Sequence, residues 1–80
     1  MSQYTFSTLG EDGKRYYPGT GKSGPGLLDF NWTTELDLSK VVTWPELELL
    51  DIIAIEFCNT EIIEITSKDP LEYKVIKEME

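Results

Sequence analysis

The sequence predicts a small α+β domain, with an antiparallel sheet of four or five strands and one or two short helices packed on it. Three observations lead to this fold class. The chain has 80 residues, which is the length of one domain, and 40% of them are apolar, enough for a packed core. Runs with strand periodicity lie on both sides of a segment that has the pattern of a helix start. We therefore expect residues 1–80 to form a single acidic domain.

A hairpin is predicted at the N-terminus. Residues 3–9 place Tyr4 and Phe6 on one face of a run with high β propensity, and residues 14–17 can return as a second strand. Asp12-Gly13, between the two runs, readily supplies the positive φ angles of a tight turn.

Residues 18–26 contain four glycines and two prolines, a composition that predicts a flexible loop. Within it, Gly21-Lys22-Ser23 matches the end of a phosphate-binding P-loop. The full motif requires a glycine where this chain has Tyr16, and the nucleotide-hydrolysing domain is much longer than 80 residues. We interpret the segment as a loop in which Lys22 at most touches an anion or a partner.

The clearest alternation in the chain covers residues 28–38. Mainly apolar side chains, from Leu28 to Leu38, stand at the even positions, and polar or acidic ones stand at the odd positions. A period of two predicts a strand with one face toward the core, long enough to bend near Thr33-Thr34. Its outer face would carry Asp29, Glu35 and Asp37.

A short helix is predicted over 44–51. Thr43 and Glu46 have the spacing of a capping box, and Pro45 is tolerated in a first helical turn because its missing N–H is not needed there. Helical spacing directs one set of side chains to the core, namely Leu47, Leu50 and Trp44, and leaves Glu46 and Glu48 toward solvent.

Two central strands are predicted next, Ile52–Cys58 and Glu61–Thr66, joined by a turn at Asn59-Thr60. The tail Leu71–Met79 fits two conformations. A cap and an early proline at Asp69-Pro70 favour a helix, whereas Tyr73 and Val75 would share one face of a strand.

No catalytic residue, cofactor or metal site is predicted. Histidine is absent, and Cys58, the single cysteine, lacks both a disulfide partner and an activating base. Residues 29–33 begin like a calcium loop, but Thr34 and Lys40 stand where that loop needs glycine and glutamate. Paired carboxylates could serve hydrolysis, but a domain this small has little room for a deep pocket.

Charge is the strongest functional signal in the sequence. Fifteen acidic residues outnumber seven Lys and Arg, giving a net charge of −8, and the surplus lies in residues 24–67, where nine acids meet Lys40. Such a surface repels nucleic acid and anionic membranes and attracts basic partners. The expected partner-binding residues are these nine: Asp29, Glu35, Asp37, Glu46, Glu48, Asp51, Glu56, Glu61 and Glu64.

These acids suggest a DNA mimic that inhibits a basic DNA-binding protein, of the kind that bacteriophages use against host factors. The likeness is one of size and charge. Outward positions on a strand are about 6.6–6.8 Å apart, close to every second phosphate of a DNA strand at about 3.4 Å per phosphate. The row Asp29, Glu35, Asp37 matches such a series of phosphates only in part. Other acids or a second subunit would have to supply the missing negative charges. The alternative is an interaction or assembly subunit, non-enzymatic, whose acids confer solubility.

The remaining expectations concern assembly and location. A small acidic domain gains buried surface by forming a homodimer, and Trp32 or Trp44, otherwise core anchors, could fill an interface. No apolar run follows Met1, and a lone cysteine suits a reducing compartment. We therefore expect a cytoplasmic protein, in the host cytoplasm if it is viral, without direct binding to nucleic acid or membranes.

Overall fold

The computed structural model describes residues 3–21, 24–26, 29–57 and 59–79. These residues form a four-stranded antiparallel sheet with strand order β2-β1-β3-β4 and one short helix, which confirms the predicted α+β class. The elements in chain order are β1 (Gln3–Leu9), β2 (Arg15–Tyr16), α1 (Leu47–Ala54), β3 (Thr60–Lys68) and β4 (Leu71–Met79). Several residues used in the sequence predictions lie outside the described residues: Lys22, Ser23, Leu28 and Cys58.

The N-terminal hairpin is confirmed. Thr8 of β1 faces Tyr16 of β2, and Leu9 faces Arg15. Gly13 has a φ of +83°, the left-handed conformation that a glycine adopts without strain.

The main core lies between the sheet and α1. Phe6 of β1 is opposite Ile62 of β3, and both side chains are fully buried together with Leu50 and Ala54 of α1. Tyr4 packs against the same cluster, so the prediction that Tyr4 and Phe6 share a face is confirmed.

Four further aromatic rings surround Phe6. Their ring centroids lie 5.5–6.1 Å from that of Phe6, within the range for favourable aromatic pairs. They come from separate parts of the chain and pack on the core as the sequence predicted for the two tryptophans: Phe30, Trp32, Trp44 and Phe57.

The predicted strand over 28–38 is wrong. Among its described residues, Phe30 and Thr33 are isolated bridge residues, Thr33 with Tyr17, and no continuous strand forms. The free edge of β1 is already taken by β2 and by Trp44, whose backbone pairs with Tyr4. Local side-chain to backbone hydrogen bonds replace a strand ladder here, for example from the Glu35 N–H to the Thr33 hydroxyl at 3.2 Å.

The predicted helix exists but begins later than 44–51. Because the backbone of Trp44 bonds to Tyr4, the chain is still extended there, and Glu46 is the N-cap residue, with extended φ and ψ of −122° and 131°. No side-chain capping bond forms, so the predicted capping box is wrong. The predicted orientation is confirmed: Leu50 is buried, Leu47 packs on the core, and Glu46 and Glu48 are exposed.

The predicted strand Ile52–Cys58 is also wrong, because its first three residues complete α1. Helical spacing puts Leu47, Leu50 and Ala54 on the face toward Phe6, which a strand could not do. The strand Glu61–Thr66 is confirmed inside β3. Thr60 links the two elements, since its hydroxyl lies 3.2 Å from the Phe57 carbonyl oxygen and 3.5 Å from that of Ala54.

The tail Leu71–Met79 is strand β4, so the helix alternative is wrong and the strand alternative is confirmed. Tyr73 and Val75 pair with Ile65 and Ile63, on one face of β3. Pairing along β3 satisfies the backbone groups of the tail that face β3, which outweighs the local cap signal. A register shift leaves Ile76 without a partner on β3.

The predicted flexible loop over 18–26 begins as a packed segment. Pro18 and Gly19 are buried, Gly19 bridges Val41, and the Val42 N–H donates to the Pro18 carbonyl at 2.7 Å. The Val42 carbonyl accepts a 3.0 Å hydrogen bond from the Thr5 hydroxyl, which ties this segment to β1.

Gly19 is the position where an added methyl group would be most costly. A Cβ there would lie 1.9 Å from the carbonyl oxygen of Asn31, and that oxygen belongs to backbone that cannot move aside cheaply. We expect Gly19→Ala to lower the free energy of unfolding by about 2 kcal/mol or more. Urea denaturation measures this, with Thr20→Ala at the exposed neighbour as the control. An equal, small effect of both substitutions would contradict the close approach.

Candidate protein-binding surface

Four of the nine predicted site residues form ion pairs within the chain, with N–O distances of 3.3–3.7 Å. Their charges are therefore partly neutralised before any partner approaches. The pairs are Glu61 with Arg15, Glu35 with Lys40, Glu64 with Lys74, and Asp51 with Lys77.

Glu61 and Glu64 do not share a surface. They are three positions apart on β3, so their side chains point to opposite faces of the sheet. Both are partly buried, and each reaches a cation on another strand: Arg15 of β2, beyond β1 in the sheet, and Lys74 of the neighbouring β4. Their main role is to connect strands.

Asp29, Glu35 and Asp37 do not form the acidic row that a strand would create. Asp29 accepts a 2.8 Å hydrogen bond from the Gly26 N–H, and Asp37 accepts bonds from the Ser39 N–H at 2.9 Å and the Ser39 hydroxyl at 2.8 Å. The carboxylates of Asp29 and Asp37 thus each stabilise a local turn. Since residues 28–38 are not a strand, the regular spacing that resembled DNA phosphates is lost.

The acids that remain together are those of α1 and its ends. Glu46, Glu48 and Glu56 are exposed, and none of them pairs with a cation among the residues that the structure describes. Asp51, in the same helix, faces Lys77 instead.

Three large apolar side chains lie beside these acids on the outer side of α1. Leu49 is 51% exposed, and Ile52 and Ile55 are each 66% exposed. We call Glu46, Glu48, Leu49, Ile52, Ile55 and Glu56 the α1 surface. The sequence prediction missed its apolar part because it placed Ile52 and Ile55 in a buried strand. The available signal was the density of apolar residues over 47–54, which exceeds what one inward helix face can bury.

A groove of about 920 Å³ adjoins this surface. Its lining is mainly aliphatic and aromatic, with two carboxylates, and comes from α1, from the segment before it and from the glycine-rich region. We call it the α1 groove, and its lining residues are Gly19, Gly21, Gly26, Asp29, Phe30, Val42, Trp44, Leu49, Ile52, Ile53 and Glu56.

The turn at Asp37 gives a titration that can be checked. The Ser39 N–H and then the Ser39 hydroxyl lower the pKa of Asp37 below its ordinary 3.8, because both donate to the ionised form. The turn therefore gains its stabilisation above pH 3.8 and loses it as the pH falls through the lower folded value. We expect Ser39→Ala to raise the pKa of Asp37 part of the way back to 3.8. Carboxyl ¹³C NMR measures this pKa. Thr34→Ala is the control, and an unchanged Asp37 titration in S39A would refute the assigned cause.

Among residues 3–21, 24–26, 29–57 and 59–79, no group of three or more Cys, Asp or Glu side chains is placed to hold a metal ion. Within the same part of the chain, no helix has the length and apolar character needed to span a membrane. No protein-family profile, no curated protein and no solved structure matches the chain.

Proposed function

We propose that this chain is a non-enzymatic acidic domain that binds a basic partner through the α1 surface. The observation that carries the proposal is the combination of Glu46, Glu48 and Glu56 with the exposed Leu49, Ile52 and Ile55. Interfaces between proteins join apolar anchors to a polar rim, and complementary charge speeds and orients the encounter.

The partner class that we propose is a nucleic-acid-binding protein, which this domain would inhibit by covering the site that normally receives phosphates. The net charge of −8 supports this choice, because it favours cationic surfaces and disfavours nucleic acid itself. The α1 surface differs from DNA in offering apolar side chains next to carboxylates. The partner would therefore present apolar side chains beside its Lys and Arg. A cytoplasmic location belongs to the same proposal.

Binding to a basic partner can be tested by pull-down from a bacterial lysate at graded salt concentration, followed by competition with duplex DNA. We expect a basic nucleic-acid-binding protein to be retained at low salt, released as salt screens the charges, and displaced by DNA. Reversal of Glu46, Glu48 and Glu56 to Lys should abolish retention. The matched control reverses three exposed acids outside α1, Glu11, Asp69 and Glu72, with the same change in net charge.

Two results would count against this function. Retention of no basic protein, or retention that ignores salt and both triple variants, would refute binding through acidic charge. Retention that is salt-sensitive but indifferent to competing DNA would refute the inhibitor role and leave a protein-interaction domain.

A second candidate is an assembly subunit that pairs with another copy of itself. It is favoured by β4, which lies at the edge of the sheet and leaves Tyr73, Val75 and Ile76 between 40% and 48% exposed. An exposed edge strand offers unpaired backbone groups to another strand. Apolar side chains beside that edge would add buried surface to a homodimer.

Sedimentation velocity across a range of protein concentrations tests this assembly. If β4 edges pair, the wild-type chain should approach the mass of a dimer, and Val75→Lys should return it to 9.2 kDa monomers. Ile55→Lys is the control, since it adds the same charge at an exposed isoleucine outside the sheet. A monomeric wild-type chain, or dissociation by both variants alike, would exclude pairing through β4.

A further inference from the structure

We propose that the α1 groove is the docking site for one amphipathic basic helix of the partner. The apolar side chains of that helix would fill the groove while its Lys or Arg side chains reach Asp29 and Glu56. This inference rests on the proposed function and specifies which part of the partner is bound.

The groove has the size and lining of a binding site for apolar side chains. Its volume of about 920 Å³ is near the upper end of the range for ligand pockets, roughly 300–1,000 Å³. Phe30 and Trp44 contribute aromatic surface, and Leu49, Ile52 and Ile53 contribute aliphatic surface. Trp44 and Phe30 also pack on the core around Phe6, so this part of the lining is fixed by the fold.

The two carboxylates in the lining determine the charge of the occupant. Asp29 and Glu56 are 27 positions apart in the sequence, and the fold brings both to the groove. Neither pairs with a cation among the described residues. Asp29 accepts a hydrogen bond from Gly26, and a carboxylate has capacity for further donors. A cationic side chain next to an apolar one therefore complements the groove.

The backbone around the groove favours a helix over an extended peptide. An added strand needs free backbone donors and acceptors along the edge that it joins. Here Trp44 uses its N–H and carbonyl to bond Tyr4, Gly19 bridges Val41, and the remaining wall is the helix α1. A helix satisfies its own backbone hydrogen bonds and contributes side chains at i, i+3, i+4 and i+7.

Two pairs of variants separate the groove from the rest of the protein surface. Ile52 lines the groove, whereas Leu9 of β1 lies outside both the groove and the α1 surface, although both are exposed aliphatic side chains. Likewise, Glu56 lines the groove, whereas Glu11 lies outside both, although both are exposed glutamates. The test variants are Ile52→Ser and Glu56→Gln, and the matched controls are Leu9→Ser and Glu11→Gln. Because all four side chains lie outside the core, the variants should retain the wild-type circular dichroism spectrum.

The probe is a dye-labelled helical peptide of leucine and lysine, about 18 residues long, with its leucines on one face. Binding to the full chain is followed by fluorescence anisotropy. We expect Ile52→Ser to weaken binding about tenfold and Glu56→Gln about threefold. The two control variants should change the dissociation constant less than about twofold. A scrambled peptide of the same composition and a leucine–glutamate helix should bind at least about tenfold more weakly.

Equal effects of Ile52→Ser and Leu9→Ser would overturn the groove as the docking site, as would equal affinity for the leucine–lysine and leucine–glutamate helices. The same variants separate this inference from the function on which it rests. A basic partner captured equally well by wild type and Ile52→Ser, but lost when the α1 acids are reversed, would refute the groove and support the acidic surface. Selective peptide binding without any captured basic partner would support the groove and refute the proposed partner class.

Discussion

The structure depends on the burial of Phe6. This one side chain of β1 meets Ile62 across the sheet, Leu50 and Ala54 of α1, and four aromatic rings from the irregular middle of the chain. An 80-residue chain with a single cysteine has no disulfide framework, so its stability depends on how much apolar surface it can gather in one place. Aromatic side chains bury the most surface per residue. This explains why four aromatic rings from the middle of the chain, which has little regular structure, pack around Phe6.

Placement of the carboxylates follows from the same packing. Acids on β3 are held beside cations of β2 and β4, and Asp29 and Asp37 in the irregular segment stabilise turns through backbone N–H groups. The carboxylates in these roles are engaged within the chain, although the sequence suggested them for binding a partner. Of the nine acids that the sequence proposed for binding, Glu46, Glu48 and Glu56 have neither an ion pair nor a local turn to stabilise within the described residues, and these three lie on α1 or next to its ends.

The outer side of α1 combines two features that are costly for an isolated domain. Leu49, Ile52 and Ile55 expose apolar surface to water, and Glu46, Glu48 and Glu56 concentrate like charge along one short helix. Both costs fall when a basic, partly apolar surface covers the helix. The groove lies beside this same side of α1, which links it to the proposed function.

The sequence by itself determined the fold class, the N-terminal hairpin, the strand Glu61–Thr66 and the inward face of the helix, because each depends on local periodicity or turn chemistry. The tertiary structure decided the rest. Residues 28–38 alternate like a strand, but the edge of β1 is already occupied. Ile53 and Ala54 join α1, where helical spacing brings them to the Phe6 cluster. The tail became a strand because β3 offered a partner along its whole length. Which acids stay available for binding likewise depends on cations distant in sequence, such as Lys77 beside Asp51, and these meet only when the chain folds.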